Sequence, residues 1–495
     1  RAKMSFFKSL FGKETVRTRF APSPTGLFHI GNVRTALFNF LFSKKNGGKF
    51  ILRIEDTDTD RYKQEYENDI IETLKWLGIQ WDEGPFKQSE RITLYARYLK
   101  ELLKNGEAFY CFHSKEFLER EHEKQIQNKE IPAHNCEFKK VPLKDSEKRL
   151  LKESAIVRFR MPVDLEISFT DLIRGKINFN SSALEGDFSL AKAENPDKFL
   201  PLYNFAVVID DFEMKINHVI RGEDHISNTP KQILIGQALG LPTPKFAHLP
   251  LILGSDKAKL SKREASVSVN EYREAGYLPE ALVNFIALLG WNPGTDEEIL
   301  SLEELIKKFD LNKVQKSGAV FNTEKLDWFN GCYLRKLSID ELAKMAIPFL
   351  EKNNLIESNN YDWKYIKKVL ALEQPRLKKL GEIGERVGFF FKPPKYEPEL
   401  LIWRDMLFKD ITVSLKVTQG ALNQLNESKF TRGNLEKILL KEAERAKNKD
   451  KGRLLWPLRV ALTGLEASPG PFEVLDVLGK KESLARIETA IKKLA

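Results

Sequence analysis

Three cysteines in 495 residues, Cys111, Cys136 and Cys332, are too few and too odd in number for a disulfide framework, which points to a reducing, cytoplasmic setting. Long apolar runs are missing too: no stretch approaches the roughly 18 to 20 residues that a membrane helix requires, so no membrane association is expected. Neither a repeat of fixed period nor a low-complexity block is present. The usual phosphate loops are also absent around the first strand-like run, where neither G-x-G-x-x-G nor G-x-x-x-x-G-K-S/T occurs. The opening "RAKMSFFKSLFGKETVR" is basic and mildly amphipathic, with apolar content too short and interrupted for a secretory signal. Residues 1–15 are expected to be a short N-terminal extension.

Charge is plentiful and uneven. The chain carries +10 overall, with 42% hydrophobic and 30% charged residues, enough for large cores under a well-solvated surface. Residues 336–495 hold 30 Lys/Arg against 22 Asp/Glu, so +8 of the surplus sits in the last third. That placement favours a polyanionic partner at this end.

Local patterns suggest an α/β sheet first and helices later. "VRTRFAP" (16–22) reads as a buried strand ended by the turn "PSPTG". The following helix puts Val33, Ala36, Leu37, Phe40 and Leu41 on one face, Gly47 and Gly48 stop it, and "KFILRI" (49–54) is the next strand. This strand–helix–strand unit argues for a parallel sheet. Residues 111–200 are mixed and read as an insertion, after which "YNFAVVIDD", "INHVIRGEDH" and "HLPLILG" are expected to resume the sheet as strands. From about residue 270 the pattern is helical, and "SLEE" (301–304) and "SIDE" (338–341) have the form of capping boxes.

A helix N-terminus binds phosphate through its unpaired N–H groups and positive end. The turn at 22–28 feeds such an end, with His29 able to donate to phosphate oxygens and Gly31 small enough to admit a flat ring. Far downstream, "KLSKR" (259–263) supplies two lysines and an arginine in a loop, a cationic clamp for charge that builds during transfer at an α-phosphorus.

"PSPTGLFHIGN" and "KLSKR" resemble the two signature motifs of class I aminoacyl-tRNA synthetases, and "RFAPSPTG", "GGKFILRIEDTD", "VIRGEDHISNTPKQ" and "PLRVALTG…SPGPFEVLDVLGK" resemble the glutamyl branch, bacterial or organellar in type. The similarity runs over nearly the whole chain from about residue 16. It implies a Rossmann-like parallel-sheet α/β catalytic domain with an α+β insertion, followed by an all-α anticodon-binding region. The implied divisions are 16–110 and 203–262 for the two catalytic halves, 111–202 for an acceptor-stem insertion, 263–335 for a helical junction and 336–495 for the anticodon region. The implied activity joins L-glutamate to tRNA(Glu) using ATP with Mg2+, and leaves tRNA(Gln) open as a second substrate; a monomer is implied as well.

By the same resemblance, His29, Gly31, Asn32, Lys259, Ser261, Lys262 and Arg263 serve ATP, Lys262 most directly. Asn32 stands where the motif's second histidine usually falls, a form that also occurs among glutamyl enzymes. Glutamate carries two carboxylates and one ammonium, so its pocket needs two cationic forks and an anion. The resemblance assigns Arg19 and Tyr203 to the side-chain carboxylate, Arg221 to the α-carboxylate and Glu55 with Ser23 to the amino group, beside Ala21. Arg376 falls where the family places an anticodon-reading arginine.

"CFH" (111–113) and "HNC" (134–136) bring two thiols and two imidazoles suited to tetrahedral zinc: Cys111, His113, His134 and Cys136. Some relatives hold structural zinc at the positions of Cys111, His113 and Cys136, but their fourth ligand falls at Phe138, and His134 has a different offset. The incomplete match favours a metal-free insertion. Among rival readings, a glutaminyl ligase would carry β-barrel anticodon domains, a small-molecule nucleotidyltransferase would not need 160 basic helical residues, and an inactive RNA-binding paralogue would not need the site residues intact.

Overall fold

Thr18, Arg19 and Phe20 are buried in strand β1 (Arg17–Phe20), which ends before the prolines of the 22–26 turn. Helix α1 (Ile30–Lys45) follows and buries Val33, Ala36, Leu37, Phe40 and Leu41, as their spacing predicts. Gly47, just past its end, has φ +62°, a left-handed conformation that glycine adopts at no steric cost. Strand β2 (Lys49–Ile54) pairs parallel with β1, then helix α2 (Gln64–Trp76) leads to strand β3 (Glu83–Lys87), parallel to β2. The computed structural model describes residues 15–58, 60–130, 132–254, 256, 268–445 and 450–494.

Helix α3 (Ile92–Lys104) leads into the insertion, which carries helices α4 (Lys115–Gln127) and α5 (Leu143–Leu150). Strands β4 (Ala108–Cys111), β5 (Ala155–Phe159), β8 (Ser189–Asn195) and β9 (Lys198–Pro201) form an antiparallel sheet, while β6 (Glu166–Asp171) and β7 (Gly175–Asn180) form a hairpin. Strands β10 (His218–Gly222) and β11 (Lys245–Leu249) pair parallel, and β6 joins the other edge of β11 with Asp171 opposite Phe246. Strand β6 thus extends the parallel β10–β11 sheet.

Two expectations of strand need correction. "YNFAVVIDD" lies in a helix, α6 (Tyr203–Glu213), not a strand. An apolar run this short looks alike in a buried strand and a buried helix; here Phe205, Ala206, Val207, Ile209, Asp210 and Asp211 are all buried, which period-two alternation cannot produce. "HLPLILG" is broken by Pro250, which has no N–H for a ladder. Strand β11 ends at Leu249, and a separate two-residue strand, β12 (Ile252–Leu253), pairs with Ala319–Val320.

The chain divides into two compact units, one running to Tyr272 and including Leu282–Thr323, the other made of Arg273–Ala281 and Glu324–Ala495. Every regular described element beyond Glu324 is helical, around a core that includes Leu342, Leu350, Val387, Leu415 and Leu458. Both capping boxes form: Ser301 with Glu304, and Ser338 with Glu341, exchange reciprocal hydrogen bonds at helix N-termini. No helix among the described residues is long and apolar enough to cross a membrane.

Candidate active site

The carboxyl ends of β1, β2 and β10, the N-terminus of α1 and the start of α6 surround one cavity of about 1210 Å³ in the first unit. Arg19, Ala21, Ser23, His29, Gly31, Asn32, Glu55, Tyr203 and Arg221 all line it. Nine residues chosen on the primary sequence, drawn from positions as far apart as 19 and 221, therefore share one space. Ligands of open α/β sheets bind at this end because the strand ends and helix N-termini converge there.

His29 is the N-cap of α1 but makes no side-chain capping bond, so its ring is not occupied by its own helix. The elbow is held by its neighbours. Asp69 on α2 accepts from the Phe28 amide at 2.9 Å and from the Asn270 side chain at 2.7 Å, and Ser268 pairs with His29 as an antiparallel bridge. Burial lowers the His29 pKa, which keeps the imidazole neutral near pH 7. A Cβ on Gly31 would come within 3.1 Å of the His29 ring, so glycine here makes room for that imidazole as well as opening the cavity wall. Arg34, one turn on, is buried and ties α1 to the carbonyls of Pro250 and Leu289.

Lys259, Ser261, Lys262 and Arg263 lie outside the described residues. The flanks of that segment are described: Leu251 and Ile252 line the cavity on one side, and Ser268 bridges to His29 on the other.

The amino-acid end of the cavity is organised by buried charge. Asp211 of α6 accepts from the Nε of Arg19 at 3.1 Å and from Nη1 of Arg53 at 2.7 Å, and Arg53 Nη2 donates to Glu55 at 3.1 Å. Arg53 is fully buried and also lies 3.6 Å from Asp210. Burial would raise the Asp211 carboxyl, but Arg19 and Arg53 outweigh it and hold its pKa low. For Glu55, burial wins over the attraction of Arg53 and Arg19, and its pKa is raised. Gripped through Nε, Arg19 keeps its terminal fork for a ligand. The Tyr203 hydroxyl lies 3.0 Å from Nδ1 of His225, whose pKa is pushed down to about 4 by burial and by the neighbouring Arg221.

Arg53, Asp211, His225 and Arg34 were not singled out from the primary sequence. The doubled aspartate inside the apolar run "VVIDD" was the available signal, since acidic residues enter a core only when paired.

In the insertion, Cys111, His113, His134 and Cys136 place one ligand atom each within 4.8 Å of one another. Nδ1 of His113 and Nε2 of His134 face Cys111 Sγ at 3.4 and 3.7 Å. Their outward nitrogens meet carboxylates, His113 with Glu137 at 3.0 Å and His134 with Glu121 at 2.5 Å. Carboxylate-backed imidazoles with two thiols are the donor set and outer support that zinc takes. Phe138, where the fourth ligand of some relatives was expected to fall, instead packs its ring 4.9 Å from that of His113. His134 reaches the cluster because Gly186, at φ +69°, lets the chains approach: a Cβ there would lie 2.6 Å from the His134 carbonyl oxygen. Arg376 belongs to the second unit, half-exposed and 3.5 Å from buried Glu373.

Comparison with known proteins agrees with this arrangement. Residues 15–328 match the family of class I tRNA synthetase catalytic domains (E and Q), and residues 341–491 match an anticodon binding domain. A glutamate–tRNA ligase of Syntrophomonas wolfei is 42% identical over 97% of this chain and 97% of its own length. One from Dehalococcoides mccartyi is 43% identical over 97% and 98%. The crystal structure of a glutamate tRNA ligase from Elizabethkingia meningosepticum, in complex with its amino acid, superposes with a TM-score of 0.85 at 37% identity, covering 97% of this chain and all of that one. The chain belongs to the glutamate–tRNA ligase family of class I tRNA synthetases.

Proposed function

We propose that this protein activates L-glutamate with ATP, releasing pyrophosphate, and transfers the glutamyl group to the 3′-terminal ribose of tRNA(Glu). The observation that carries this reading is the single cavity shared by a phosphate-binding elbow at His29 and an amino-acid end built on Arg19, Glu55, Tyr203 and Arg221.

The α-carboxylate of glutamate attacks the α-phosphorus of ATP in line, giving glutamyl-adenylate, and the tRNA ribose hydroxyl then attacks the acyl carbon. Positioning and charge stabilisation lower both barriers, without a covalent enzyme intermediate. Neutral His29 donates to phosphate, Gly31 and Asn32 border the nucleotide, and Lys259, Ser261, Lys262 and Arg263 form the clamp. Magnesium carried with ATP would supply neutralisation of phosphate charge. Arg19 and Tyr203 take the side-chain carboxylate, Arg221 the α-carboxylate, and Glu55 with Ser23 the ammonium, beside Ala21.

The insertion (111–202) holds the acceptor end, and Cys111, His113, His134 and Cys136 are the residues that would hold a structural zinc, which would brace it from within. The junction (263–335) contacts the stem, and the basic region (336–495), with Arg376, reads the anticodon. A tRNA bound through phosphates loses affinity steeply with salt. The enzyme acts as a monomer in the cytoplasm.

Pyrophosphate exchange with glutamate and with glutamine, each with and without tRNA, tests the reading. Exchange with glutamate alone of the two amino acids is expected; no exchange under any condition would leave an RNA-binding paralogue. Charging of purified tRNA(Glu) and tRNA(Gln) then settles the acceptor range.

A further inference from the structure

Arg221, the residue proposed above for the α-carboxylate, is held differently from Arg19 beside it in the cavity and from Arg53 behind it. Arg19 and Arg53 lean on carboxylates, whereas the hydrogen-bond acceptors of Arg221 are all uncharged. Its Nε donates to Nε2 of His248 at 3.2 Å, Nη1 to Gln232 at 2.9 Å and Nη2 to the Thr229 hydroxyl at 2.7 Å. Neutral acceptors fix the direction of a guanidinium without cancelling its charge, which remains for an anionic ligand.

His248 can accept only if the proton sits on its other nitrogen. Asp171 enforces this: its Oδ2 lies 2.7 Å from His248 Nδ1 and 3.0 Å from the His248 amide nitrogen. A carboxylate of lowered pKa only accepts, so Nδ1 carries the proton and Nε2 offers its lone pair to Arg221. Both side chains are completely buried. Asp171 ends strand β6, which belongs to the insertion, while His248 and Arg221 sit on the paired strands β11 and β10.

We infer that His248 and Asp171 are positioning residues for glutamate: the insertion's Asp171 sets the His248 tautomer, and His248 aims Arg221 at the α-carboxylate. This rests on the function proposed above.

The test is pyrophosphate exchange by the full chain in the presence of tRNA, with KM measured separately for glutamate and ATP and folding followed by thermal melting. In His248→Asn the side-chain amide reaches only the Nδ1 position, so the link to Asp171 survives and the acceptor for Arg221 is lost. KM for glutamate is expected to rise about tenfold, the value of one charge-assisted hydrogen bond, with KM for ATP within about twofold. His248→Gln places an amide oxygen near the Nε2 position and should recover most of the glutamate affinity. Asp171→Asn, which no longer forces the tautomer, should raise the glutamate KM in the same selective way and serves as the readout where His248→Asn folds poorly. Unchanged glutamate KM in folded variants would overturn the inference, as would equal loss of glutamate and ATP affinity or a His248→Gln no better than His248→Asn. A wild-type chain inactive with glutamate would instead overturn the function itself.

Discussion

Arg53 is the hinge of the buried charge in this fold, and replacing it by methionine gives a severe and calculable perturbation. Its guanidinium is 2.7 Å from Asp211, 3.1 Å from Glu55 and 3.6 Å from Asp210, with its own side chain at 0% exposure. At an effective dielectric of about 20, each such pair is worth on the order of 5 kcal/mol before desolvation. Taking each ion out of water costs several kcal/mol, so the assembled cluster contributes little net stability. Removing the cation alone is different, because Glu55 loses its cation while Asp211 and Asp210 are left to Arg19 and Arg91 alone, and all three carboxylates stay buried. The expected loss is about 3–5 kcal/mol. At about 2 °C per kcal/mol, the low end for a unit of this size, the catalytic unit should melt about 6–10 °C lower by scanning calorimetry. Arg53→Lys should recover less than half, since one ammonium cannot fork to three carboxylates. With Asp211 left to Arg19 alone, that arginine is drawn towards the aspartate and away from the ligand, so the glutamate KM should rise as well. A melting shift under about 2 °C in Arg53→Met would refute the reasoning, showing that the carboxylates rehydrate or take up protons cheaply.

Replacing Arg19 by glutamine removes a charged fork, and the glutamate KM should rise about tenfold to 150-fold, as steady-state exchange kinetics would show. The purified protein should carry one zinc by metal analysis, lost in Cys136→Ser together with part of the thermal stability of the insertion; a metal-free wild type would contradict this. Acid should destabilise the fold across the histidine range. The pKa values of His29, His225 and His248 are all lowered in the folded chain, that of His225 from 6.5 to about 4. Between those values the unfolded chain binds more protons, so stability rises with pH and is lost as pH falls. The melting temperature should therefore drop from pH 7 to 5, less so in His225→Asn, with the raised pKa of Glu55 working in the opposite sense.

Local rules read from the primary sequence carried far. The buried face of α1, the turn after β1, strand β2 and both capping boxes depend on neighbours within four residues, and they appear as expected. The family and its glutamate-linked activity were legible from motif spelling alone, because the elbow and the clamp need particular residues at fixed spacing. What those rules could not resolve was the identity of a short apolar run. "YNFAVVIDD" became a helix with six of its nine residues buried, Phe205, Ala206, Val207, Ile209, Asp210 and Asp211, a burial set by the neighbouring helices and strand β8 packed against it and not by its own pattern.

By itself, then, the order of residues determined which chemical groups would be present and which short segments would bend, coil or extend. The tertiary structure alone decided which groups share charge. Asp211 grips Arg19 from 192 positions away, and Asp171 orients His248 from 77 away. His134 was already a candidate ligand on the primary sequence, but its different offset left it in doubt, and the fold brings it beside Cys111, His113 and Cys136. Electrostatic partnership falls off over a few ångströms of space and is indifferent to separation along the chain, so no reading of neighbours could have found it.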